Sequence, residues 1–176
     1  ALRGLLRLGL TFKGNVYYRM MAGMGDAIFA PIYQVLQQRG VNFQFFSKVT
    51  NLGLGTDGSI NTISIDIQAT LAKGVPYYNP LITVNELPCW PNFPNTQYLE
   101  QGNEILAGNV NLESYYSTWK PAAQQTLQKG QDFELVILGI SIGALPTVAK
   151  ELIAKNTPWQ NMVKNVIPIS TIAFQL

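Results

Sequence analysis

Apolar positions recur at helical spacing in some stretches of this chain and at strand spacing in others, and the changes of period divide it into elements. The first ten residues carry Arg3 and Arg7 among leucines. That pattern predicts an amphipathic helix, because the arginines interrupt what would otherwise resemble a signal-peptide core. Lys13-Gly14-Asn15 reads as a turn, and residues 16–21 have the aromatic and branched content of a short strand. Gly23-Met24-Gly25-Asp26 predicts a second turn with Asp26 as the N-cap of a helix. This helix runs to about Arg39, with Ile28, Ile32, Val35 and Leu36 on its apolar face and a kink or later start at Pro31. Residues 41–46 resume as a strand, completing a strand–helix–strand unit of the kind that builds parallel sheets.

From Val49 the pattern changes. Residues 49–54 and 59–67 flank Gly55-Thr56-Asp57-Gly58, and the second segment alternates with period two. An antiparallel hairpin with one exposed face is expected. Residues 72–130 form an irregular, aromatic- and proline-rich arm, with one short strand near Leu81-Ile82-Thr83-Val84 and a proline-fixed loop from Leu87 to Pro94. Its aromatics, Trp90, Phe93, Tyr98, Tyr115, Tyr116 and Trp119, are expected to cover the core more than to hold a ligand.

The most informative stretch is Phe133-Glu134-Leu135-Val136-Ile137-Leu138-Gly139-Ile140-Ser141-Ile142-Gly143-Ala144-Leu145-Pro146. Its unbroken apolar run predicts a strand buried on both faces, then a tight turn, then a helix carrying Leu145, Val148, Ala149, Leu152 and Ile153. Thr157-Pro158 predicts the start of a short helix, and residues 166–174 a final strand. The fold class is therefore α/β with a mixed sheet, in which parallel strands at 16–21, 41–47 and 133–139 are joined by the antiparallel hairpin. A single domain spanning 1–176 is expected. The apolar run at its end and an opening residue other than Met predict a piece of something longer.

Composition narrows the chemistry. The chain has 176 residues and a net charge of +2, and only 12% of its residues are charged. Scattered cations at that balance argue against a nucleic-acid partner. So little charge on the surface predicts that some of it faces another chain or domain. No run approaches the roughly 18 apolar residues of a membrane span, and a cytoplasmic location is expected. Histidine is absent, which removes the usual general base and the commonest metal ligand. The single cysteine, Cys89, excludes an internal disulfide and a thiolate zinc cluster, so no metal site is expected.

Gly139-Ile140-Ser141-Ile142-Gly143 spells G-x-S-x-G, the signature of a hydrolase nucleophile elbow. A serine in that role needs an imidazole to take its proton, and the chain has none. The alternative reading of the same turn is geometric: Gly139, Ser141 and Gly143 are small, and small residues let a ligand approach the backbone at a strand end.

Taken together and in order, several segments resemble the FAD-dependent amine oxidase and phytoene-desaturase-like oxidoreductases. These are Met20-Met21-Ala22-Gly23-Met24-Gly25-Asp26, Gly40-Val41, Ser47-Lys48-Val49-Thr50-Asn51-Leu52, Asp57-Gly58 and the run from Asp132 to Ser141. The stretch from Trp159 to Leu176 resembles the continuation of a bacterial branch of that family, and the likeness covers nearly the whole chain. It implies FAD as cofactor and hydride transfer from a C–N or C–C bond as the parent reaction, with Gly23, Met24, Gly25, Val49, Gly139, Ile140 and Ser141 in contact with cofactor or substrate. No catalytic residue can be named. Where this sequence departs from the family, the N-terminal strand bearing the dinucleotide fingerprint and its ribose-binding acid is missing, as is the segment that closes over the flavin. The expected role is therefore the middle portion of a flavin oxidoreductase, a partial FAD-binding and substrate domain that is not catalytic alone. Its expected partners are a flavin-binding domain or a second copy in a homo-oligomer, with a small-molecule ligand. The competing expectation is a non-enzymatic, oligomerising interaction module.

Overall fold

A computed structural model of the chain describes residues 2–15, 19–20, 22–169 and 172. It divides into two compact units. Unit 1 comprises Ala1–Phe43 and Asn79–Asn95, and unit 2 comprises Gln44–Tyr78 and Thr96–Leu176.

Unit 1 opens with α1 (Leu2–Leu10), the amphipathic helix expected from the leucine pattern, none of whose side chains is buried. A five-residue π-helical turn (Gly25–Phe29) leads directly into α2 (Ala30–Gln38). The apolar face of α2 is not the expected one. Ala30 and Tyr33 are buried, whereas Ile28, Ile32 and Val35 are exposed. The reason is aromatic packing: Tyr33 meets the edges of both Phe43 and Trp90, with ring centroids 4.7 and 5.4 Å away, and such edge-to-face pairs add to simple burial. Asp26 does not cap the helix either. Its carboxylate reaches across to accept from the Trp90 amide at 2.9 Å, tying the π turn to the strands that follow. Those strands, β3 (Ile82–Val84) and β4 (Leu87–Cys89), form an antiparallel hairpin that packs on the π turn and α2. Its two-residue turn places Asn85 and Glu86 at φ 48° and 67°, as a type I′ hairpin requires. Buried Asn95 closes the unit by donating from Nδ2 to the Asn79 carbonyl at 2.8 Å.

Unit 2 is built on a three-stranded antiparallel sheet in the order β1-β2-β5, made by β1 (Ser47–Leu54), β2 (Ile60–Ile67) and β5 (Ala123–Gln128). The β1–β2 hairpin is the one the period-two pattern predicted, with a bulge at Thr50. β5 lies within the stretch expected to be irregular, as does α3 (Gly102–Ala107). Ala69, Leu99 and Ile105 form the core cluster, covered by Phe46, Tyr78, Val110, Leu112 and Trp119. On the other side, α4 (Leu145–Val148) and α5 (Lys150–Lys155) pack against β1, with Leu52, Leu145 and Ala149 buried. α6 (Thr157–Asn165) follows, its N-cap at Asn156 rather than Thr157, where Asn156 Oδ1 accepts from the Trp159 amide.

Among the described residues the parallel strand–helix–strand unit does not form. Residues 41–46 form no strand, Phe46 has φ 53°, and β1 starts only at Ser47. Residues 133–139 form no strand either and, among the described residues, join only the isolated Lys129↔Phe133 bridge. An apolar run states that a segment is to be covered on both faces, and not by which strand. Residues 16–18 and 21 of the expected strand at 16–21, and most of the second half of the one at 166–174, lie outside the described residues, while residues 19–20 and 166–169 are in no strand.

Candidate functional site

The residues singled out in the sequence fall into both units. Gly23, Met24 and Gly25 belong to unit 1, where they lead into the π turn. The Gly23 carbonyl accepts from the amides of Asp26 (3.0 Å) and Ala27 (2.8 Å). A side chain at Gly25 would meet Trp90 Cδ1 at 3.5 Å, ordinary van der Waals contact, so that glycine is not forced by packing. Met24 is half exposed. Nearby, partial burial and then the charge of Asp26 push the Cys89 thiol up from its usual range. A thiol held protonated is a poor nucleophile.

Val49, Gly139, Ile140 and Ser141 belong to unit 2. Val49 sits half-buried on β1, opposite Ile65 and next to the bulge. Since β1 is an edge strand with β2 on one side only, part of its backbone faces away from the ladder. The turn at 139–141 feeds α4, which packs on the same strand. Gly139 is open: a Cβ there would find no atom within 4 Å. Ser141 adopts φ −59°, ψ 141° and acts as an N-cap, its Oγ accepting from the Gly143 amide at 3.3 Å. The hydroxyl thus caps the short 3-10 turn Ile142–Ala144 that leads into α4, but the strand expected before it does not form among the described residues, and the chain has no imidazole to activate the serine. At Gly143 an added Cβ would press on Pro168 at 3.0 Å.

A dinucleotide-type string does occur in the sequence, at Gly53-Leu54-Gly55-Thr56-Asp57-Gly58. It spans the end of β1 and the hairpin turn, with no helix after it. Gly58 has φ +77°, and Asp57 Oδ1 accepts from the Ser59 amide (3.0 Å) and hydroxyl (2.9 Å). Those bonds, with Lys129 3.8 Å from Asp57 Oδ2, hold the Asp57 carboxyl below its ordinary range. Without strand, turn and helix in that order the string cannot cradle a pyrophosphate. The glycine string therefore provides no residues that would hold the phosphates of a dinucleotide.

One feature of unit 2 was not anticipated as a single place. An open cleft of ≈ 640 Å³ runs between α3 and residues 110–122, with Gln101, Glu104, Asn111, Tyr116, Trp119 and Lys120 among its lining. Trp119 is fixed by its indole N–H, which donates to the Gln68 carbonyl at 2.8 Å. The Ser114 and Ser117 hydroxyls in the cleft accept from the Tyr116 and Trp119 amides and so serve the turns. The cleft offers hydrogen bonds, two charges and ring faces, the equipment of binding rather than of nucleophilic attack. The aromatic content of 110–122 was its only signal in the sequence.

Among the described residues no cluster of His, Cys, Asp or Glu could hold a metal ion, and no helix is long and apolar enough to cross a membrane. No family model, curated protein or solved structure matches the chain.

Proposed function

We propose that this chain contributes part of an FAD- and substrate-facing surface to a flavin-dependent oxidoreductase, and that it does not catalyse hydride transfer by itself. The reading rests on the ordered resemblance in sequence. The observation that carries it is the exposed apolar segment at 133–140, with Leu135 and Ile137 open to solvent, that leads into the Ser141 turn. Among the described residues no backbone-to-backbone hydrogen bond is made from Glu134 to Ile140, and a Cβ at Gly139, where the turn begins, would meet no atom within 4 Å. Edge strand β1, with Val49, supports the same surface. When bound, FAD supplies the hydride acceptor, and this chain's residues orient and cover it. The experiment is titration of FAD with the purified chain, read by quenching of flavin fluorescence and by the visible absorbance. Saturable quenching is expected, and it should be lost in Gly139→Trp. Because a Cβ at Gly139 would meet no atom within 4 Å, that substitution tests approach of an external group, with an unchanged unfolding midpoint as the control for the fold. Quenching that never saturates contradicts the proposal.

A second reading, the oligomerising interaction module, is favoured by a specific observation. Leu135 is 79% and Ile137 89% exposed, and Ile167 and Ile169 are exposed to a similar degree. Apolar side chains in such density mark association surfaces. Light scattering separates the readings: association that FAD does not alter favours the module.

A further inference from the structure

We infer that α1 seats the chain on an anionic lipid surface, lying in the plane of the bilayer interface. This inference is independent of the flavin reading. No side chain of α1 is buried. Leu2, Leu6 and Leu10 recur at four-residue spacing and so line up as one ridge, with Leu2 and Leu10 71% and 79% exposed. Leu5 is exposed beside them, and Phe12 extends the apolar face beyond the helix. Arg3 and Arg7, at the same spacing, form a parallel basic row. Thr11 closes the helix by donating from both its amide and its hydroxyl to the Arg7 carbonyl.

Charge selects the occupant. Lys13 and Arg19 follow the two arginines, and the first carboxylate in the chain is Asp26. Pairing α1 with its own copy would bring like charges together with nothing to neutralise them. An anionic bilayer satisfies both rows at once, burying leucines at the level of the acyl boundary while the guanidinium groups stay among the headgroups. Nine residues rise about 14 Å, less than half the hydrocarbon thickness, so the helix lies on the membrane and does not cross it.

The test uses the full chain with sedimented vesicles of phosphatidylcholine alone or mixed with phosphatidylserine. Binding is expected only to the phosphatidylserine vesicles and should fall as salt is raised. At about fivefold per cation, Arg3→Gln with Arg7→Gln should weaken it about 25-fold. Leu6→Ser with Leu10→Ser should abolish it while circular dichroism and the unfolding midpoint stay unchanged, since the helix buries no residue. No binding to phosphatidylserine vesicles, equal binding to both kinds, or binding that survives the leucine pair overturns the inference. So does an α1-dependent dimer that sediments with neither.

Discussion

The sheet of unit 2 and the segment that follows it are made of the same kind of residue. Ile60, Ile63, Ile65 and Ile67 lie on β2, which has β1 on one side and β5 on the other. Leu135, Val136, Ile137 and Leu138 are as apolar but lie in no strand, and among the described residues their segment joins only the isolated bridge at Phe133. The contrast shows that apolar content sets the demand for burial while turn geometry and register decide which strand meets it. β1 and β2 find each other through a short, glycine-containing turn locked by Asp57 and Ser59. Residues 133–139 would need a crossover partner, and parallel pairing needs a connection of a dozen or more residues.

If that contrast is real, substitutions in the packed part should be costly and those in the open segment nearly silent. The largest effect is expected at Ile105, 1% exposed in the core cluster. Ile105→Ala should cost about 2–5 kcal/mol of stability in denaturant unfolding, through lost burial and the cavity left behind. Gly102→Ala comes next. An added Cβ would collide with the Thr96 carbonyl, which is backbone and cannot swing away, so overpacking of about 1–3 kcal/mol is expected.

Glu151 gives a smaller, pH-dependent effect. Its carboxylate joins α5 to β1 by accepting from the Leu54 amide and Asn51 Nδ2, both at 3.1 Å. These bonds, and Lys155 behind them, hold its pKa below the ordinary value. A depressed folded-state pKa contributes stability that is complete above the unfolded value and is lost as pH falls through the folded one. Glu151→Gln should therefore lower the thermal midpoint at neutral pH. Its deficit should shrink as pH drops below about 4, the region of an unperturbed glutamate. A deficit independent of pH would show that the side chain acts by shape alone. Smallest of all, Ile137→Lys in the open segment should change stability by no more than about 0.5 kcal/mol. A cost comparable to that at Ile105 would mean the segment is packed, and the contrast would fail.

Much of the secondary structure was legible in the sequence. The leucine–arginine spacing gave α1, period-two alternation gave β2, and the break at the small-residue turn gave a helix carrying Leu145 and Val148, where α4 forms. What could not be read was partnership. The buried face of α2 was missed because Tyr33 answers to Phe43 and Trp90, residues 10 and 57 positions away. Asp26 looked like a helix cap because a carboxylate in a first turn usually is one, yet Trp90, just past β4, offered its amide. β5 was hidden for a different reason: Ala123, Gln124, Gln125, Thr126, Leu127 and Gln128 carry little β signal, and the strand forms because β2 presents an edge to it. The candidate site followed the same rule. The hairpin turn at 55–58 was legible, whereas Asp26 turned to the Trp90 amide and the segment before Gly139 found, among the described residues, only the isolated bridge at Lys129.

The most direct measurement is the FAD titration of the chain and of its Gly139→Trp variant, followed by flavin fluorescence. Saturable quenching by the chain, lost in the variant while its unfolding midpoint is unchanged, is the expected result. Quenching that does not saturate, or that is identical in the variant, would contradict a cofactor contact at the turn after the open segment.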